Sequence, residues 1–138
     1  MLANRCGILK QNVMELSKQL RIGNLLKTKK GSIIEVENVL ESGINSYTWS
    51  DTHYGVQSSG SELMYEYDDL EPIKLDEEWL LKCKSNSIFN NGFEYKKTTT
   101  GRFEVYVGIS LITVIEFVHE LQNLNFSLLG QDIVFENV

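Results

Sequence analysis

A chain of 138 residues is the size of one ordinary domain, and 42% hydrophobic content with a single proline belongs to a folded protein that builds its own core. No apolar run approaches the roughly 20 residues that span a bilayer, and residues 1–13 lack the h-region and cleavage site of a secretory signal, so a cytoplasmic protein is expected. The net charge of −6 is uneven, +6 over residues 1–31 and −12 over residues 32–138, which disfavours direct nucleic-acid binding by most of the chain.

The first expected element is a short helix over residues 11–20, where Val13, Leu16 and Leu20 recur at helical spacing. Met14 opens MELSKQLRIGN, which reads as a natural beginning and makes the thirteen residues before it an appended segment; residues 1–19 are an extension with a short helix. From Leu20 the period changes. Residues 25–27, 32–39, 44–49 and 63–67 are β-branched or aromatic runs bounded by Lys29-Lys30-Gly31, Glu41-Ser42-Gly43 and the loop Ser58-Ser59-Gly60-Ser61. They predict a β-rich unit over 20–72, a small antiparallel sheet or SH3-like barrel.

A second, α+β unit is expected over 73–138. Asp76 is a suitable N-cap for a helix over 77–84, with Leu75 and Leu80 placed as a staple and Lys82 and Lys84 in its last turn. Asn91-Gly92 between residues 87–89 and 93–95 predicts a type I′ hairpin, and the alternation over 102–107 predicts a half-buried strand. Residues 113–130 predict a long helix with Val114, Phe117, Val118, Leu121, Leu124 and Leu128 on its buried stripe. Thr113 and Glu116 have capping-box spacing, Ile112 and Phe117 are placed as a staple, and Gly130 stands where a left-handed cap would sit. Residues 133–135 close the chain as a short strand. The expected class is α+β, a β-rich unit followed by a helix–hairpin–strand–helix unit, packed as one compact protein.

Candidate chemical sites are sparse. Cys6 and Cys83 show no CxxC spacing, and His53 and His119 stand 66 positions apart, so neither a metal nor another cofactor is expected. Two reduced thiols are the expectation, Cys83 on a buried helix face; a Cys6–Cys83 disulfide would be unusual in a cytosolic protein. No phosphate-loop motif occurs, and Ser58–Ser61 is a flexible loop. His119 with Glu120 is the nearest material for a catalytic pair, but the polar neighbours Gln122 and Asn123 make it a surface or boundary histidine; His53 with Asp51 is no more specific. No enzyme is expected. The distinctive feature is acidic: Glu62, Glu66, Asp68, Asp69, Glu71, Asp76, Glu77 and Glu78 fall within seventeen residues, offset by Lys74. Such a segment suits a protein partner with a basic surface. A solvated, solubilising face is the plainer alternative, as is edge protection for Lys27, Lys29 and Lys30.

Four blocks together resemble a group of small bacteriophage and prophage proteins: LRIGN at 20–24, IIEVENV at 33–39, LEPIKLDEEWLLK at 70–82 and VHELQNLNFSLLGQDI at 118–133. The group's pattern runs LRIGN, PIPLTEEWLLKLGF, YVHQLQNLYFALTGEEL. The first thirteen residues and the 41–63 region depart from it. The resemblance carries no catalytic residue. It implies a small acidic phage protein similar to host-takeover and anti-defence proteins, anti-CRISPR proteins among them. The expectation is a non-enzymatic inhibitor of a host defence effector, most specifically an RNA-guided nuclease of a type VI-B system. The alternatives are a phage accessory or assembly protein that binds another phage component, and a small nucleotide- or RNA-processing enzyme.

Overall fold

The computed structural model describes residues 16, 18–40, 43–48, 63–83 and 86–136. Most of the expected 11–20 helix, Cys6, Trp49, the Asp51–His53 pair, the Ser58–Ser61 loop, Glu62 and Lys84 lie outside them. The chain divides into two units, Met1–Glu71 and Pro72–Val138.

In the first unit, Asn24 sets the entry to the sheet. Its Oδ1 accepts the Arg21 N–H at 2.7 Å, while the Gly23 N–H reaches Val36 O at 2.8 Å and the Val36 N–H reaches Asn24 O at 2.9 Å. Strand β1 (Leu25–Thr28) follows, then β2 (Ile33–Val39), β3 (Gly43–Thr48), β4 (Leu63–Glu66), a 3-10 turn (Tyr67–Asp69) and β5 (Leu70–Glu71). The strands form one antiparallel sheet in the order β4-β3-β2-β1-β5, curled as a half-barrel. Its core is Leu16, Leu20, Leu26, Ile34, Val36, Ile44, Tyr67 and Leu70, with Tyr65 packed against it. Gly43 lies opposite Glu66, and a Cβ at position 43 would overlap the Tyr65 carbonyl oxygen, so only glycine lets β3 and β4 approach as they do.

In the second unit, helix α1 is Glu77–Leu81, and Asp76 caps it by accepting the Trp79 N–H at 3.0 Å. The helix ends before Cys83, which sits instead in a single bridge to Phe135 and is half-buried. Lys82 is the helix's C-cap and places its ammonium 4.9 Å from the Trp79 ring centroid. Trp79 also meets Phe135 edge-on at 5.2 Å. Strands β6 (Phe93–Lys97), β7 (Phe103–Val107) and β8 (Ser110–Ile115) form an antiparallel meander, and helix α2 runs over Val118–Leu129. The α+β class holds, with the predicted strands of the first unit and the 102–107 strand in place.

The strand expected over 133–135 reduces to the single bridge at Phe135, and three further expectations for this unit are corrected. The Asn91-Gly92 hairpin does not form: residues 88–90 are a 3-10 turn, and Asn91 has φ −130°, where a type I′ turn needs a positive value. Ser87 Oγ accepts the Phe89 N–H at 3.2 Å and Asn91 donates to Ser87 O at 2.8 Å, a local side-chain network that outcompetes extended pairing. Residues 113–115 are strand, not helix, because Thr113, Val114 and Ile115 of a β-branched run pair with Val105, Glu104 and Phe103 of β7, with Ile112 bulged out of register. The capping group is accordingly Glu120, whose Oε1 accepts the Glu116 and Phe117 N–H groups at 3.0 Å each.

The buried face of α2 keeps Val118 and Leu121 of the expected stripe and then turns away from Leu128. Val118, Leu121, Gln122 and Asn125 are buried at the i, i+3, i+4, i+7 positions, while Leu128 is exposed. Asn125 explains why a polar face goes inward. Its Oδ1 accepts the Ile88 N–H at 2.7 Å, and its Nδ2 donates to Asn86 O at 3.1 Å and Gln131 O at 2.9 Å. Gly130 ends the helix at φ 68°, as expected of a left-handed cap.

Leu121→Ala should therefore cost about 2–5 kcal/mol and Leu128→Ala less than about 1 kcal/mol. Asn125→Ala should cost on the order of 2–3 kcal/mol, since it strands the buried Ile88 N–H. Urea denaturation of the three variants checks this, and equal losses at 121 and 128 would put the helix face elsewhere.

Candidate functional site

The acidic stretch owes its presentation to two buried anchors. Tyr67 and Leu70, three residues apart, point into the core of the first unit, and Tyr67 donates its hydroxyl to Leu40 O at 2.6 Å. Burial pushes the Tyr67 phenol above its ordinary range. With these two side chains inward, Glu66, Asp68, Asp69 and Glu71 are all exposed. Glu71 faces Lys27 in the β1–β5 ladder, at 3.9 Å. Glu66, Asp68 and Asp69 have no ion-pair partner among the described residues. The Lys29 N–H bonds to Asp69 O at 3.1 Å, so the basic turn of the sequence runs beside the acidic stretch. The charge separation seen along the chain is thus partly folded back on itself in this unit.

The remaining acids belong to the second unit. Asp76 is committed to capping α1, while Glu77 and Glu78 are exposed in its first turn, where they complement the helix dipole. Glu78, Leu81, Lys82 and Glu136 line a shallow, open depression. Glu116 pairs with Lys74 at 3.3 Å and with Arg102 at 3.8 Å.

His119 is not the surface or boundary histidine expected. It is 1% exposed, stacks nearly parallel to the Phe117 ring at 5.8 Å, and burial lowers its pKa to about 4. Its imidazole is neutral at pH 7 and enclosed, a poor position for proton transfer with an external substrate. Cys83 is a free thiol whose pKa burial pushes up to about 11, the reverse of an activated nucleophile. Among the described residues, no group of three or more His, Cys, Asp or Glu could hold a metal ion, and no helix is long and apolar enough to cross a membrane. Sequence reasoning passed over one surface feature, the uncharged run 109–115, because its residues were assigned in part to the helix.

Comparisons with protein-family profiles, with curated proteins and with solved structures give no match.

The depressed folded-state pKa of His119 makes stability depend on pH. The unfolded chain takes up this proton near pH 6.5 and the folded chain only near 4, so the stability His119 confers is complete above 6.5 and is lost as pH falls to about 4. Relative to His119→Gln, the wild type should lose on the order of 3 kcal/mol across that window. Denaturation of both proteins between pH 7.5 and about 4 measures it; a pH-independent difference would mean that His119 titrates normally.

Proposed function

We propose that this chain is a non-enzymatic, phage-encoded inhibitor that docks its acidic stretch on a basic surface of a host defence effector. In its most specific form the effector is an RNA-guided nuclease of a type VI-B system. The observation that carries the reading is the 66–71 stretch: four carboxylates are turned outward by buried Tyr67 and Leu70, and three have no ion-pair partner among the described residues. Carboxylates held this way steer a cationic surface toward the chain and strengthen discrimination between partners. The resemblance to phage proteins supports the setting. Two further observations favour binding over catalysis: His119 is enclosed and neutral, and the Cys83 thiol is held protonated.

The test is a titration of the effector's RNA cleavage with the full chain, alongside binding kinetics at low and high salt. Inhibition should be complete near one equivalent. Glu66→Gln, Asp68→Asn and Asp69→Asn together should slow association at low salt by about tenfold or more and flatten its salt dependence. Glu71→Gln should do less, since Lys27 already offsets that charge. Unchanged kinetics in the triple variant would take the stretch out of the interface, and an effector unaffected by excess wild type would not be the partner.

A further inference from the structure

The two outer edges of the β6-β7-β8 sheet are built differently. Strand β6 carries Glu94, Lys96 and Lys97, all exposed, the kind of charged edge that resists pairing with another strand. Strand β8 carries no charge, no proline and no glycine. Leu111, Ile112 and Val114 are 51%, 45% and 41% exposed, and Ile109 in the turn before it is fully exposed. Among the described strands only β7 pairs with β8. Residues 73–75 bond to the chain just past its end, Leu75 N–H to Glu116 O at 3.0 Å and Val118 N–H to Ile73 O at 2.9 Å, and no described strand pairs with the outer edge of β8. Uncharged along its six residues, largely aliphatic and interrupted by one bulge at Ile112, β8 has the chemistry of a pairing template.

We infer that the edge of β8 is a homodimer interface, on which the β8 of a second copy adds antiparallel to give a sheet of six strands. Three features select a second copy as the occupant. Residues 109–115 hold no charged side chain, so two chains each of net charge −6 meet there without like charges opposite one another. Pairing of β8 with itself is isologous and closes after two copies. The resulting sheet presents only its β6 edges, which Lys96 and Lys97 already guard. Pairing of β8 with β6 of another copy would instead be heterologous, leaving a free edge after every addition unless a ring closes, and would set an apolar strand against three charges. The interface uses none of the 66–71 carboxylates, so it stands or falls separately from the docking of a host effector.

Sedimentation velocity on the full chain from about 1 to about 300 μM, with hydrogen exchange at both ends of that range, tests the inference. A monomer–dimer equilibrium is expected, with the amides of β8 exchanging at least about tenfold more slowly at high concentration and those of β6 unchanged. Leu111→Lys with Val114→Lys, both at exposed positions, should give a folded monomer throughout. If that variant fails to fold, the wild-type exchange data decide alone. A wild type that stays monomeric, a dimer whose β8 exchange ignores concentration, or a ladder of higher oligomers would each overturn it.

Discussion

One side chain holds the second unit in register. Asn125 uses its carbonyl oxygen and its amide nitrogen on backbone groups of one remote segment, residues 86–88, and of residue 131 just past its own helix, and does so fully buried. Hydrogen bonds in such a setting are strong when all are made and costly when one is missing, so they fix a unique arrangement more than they add bulk stability. Asn86 extends the same device, donating to Asp132 O and accepting the Val134 N–H at 3.4 Å, which ties the tail after α2 to the segment before β6. The position of that segment in turn seats Phe89 against Tyr95, and Tyr95 against Phe103, at 5.0 and 5.8 Å. The first unit relies on a different principle. Its order comes from ladder pairing and the burial of eight mainly aliphatic residues, and its buried polar side chains among the described residues, Asn24 and Thr28, stand at the two ends of β1.

Local signals in the sequence were reliable where one element decides its own structure. The strands of the first unit, the Asp76 cap and the Gly130 terminus depend on alternation, on a carboxylate reaching back one turn, and on a residue free to adopt positive φ. Failures came where two periods overlap. Val114, Phe117, Val118 and Leu121 satisfy a helical spacing, yet Val114 belongs to a strand whose β-branched neighbours were the contrary signal. The turned face of α2 was unreadable for another reason: nothing local distinguishes an asparagine that will bind remote backbone from one bound for solvent. The acidic site was legible in its composition and not in its electrostatics, because Lys27 meets Glu71 only once β5 has paired with β1.

The sequence blocks at 20–24, 70–82 and 118–133 are largely occupied by the fold. LRIGN builds the turn into β1 through Gly23 and Asn24, DEEWLLK is the capped helix α1, and VHELQNLNFSLLG is α2 with its buried polar face and terminal glycine. Residues with architectural work of this kind constrain the shape of the protein and leave its surface chemistry to other positions, such as 66–71 and the outer side of β8.

Gly43 reaches beyond the backbone contact it permits. Across the ladder its partner is Glu66, on a strand that borders the sheet. A glycine beside that carboxylate supplies no neighbouring side chain on one flank, and no described strand pairs with β4 on the other. A cation arriving at Glu66 therefore has a wide angle of approach from both sides, whereas at Glu71 it must first displace the ammonium of Lys27. Of the two carboxylates that sit in strand ladders here, the more open to a cation is the one standing opposite an absent side chain.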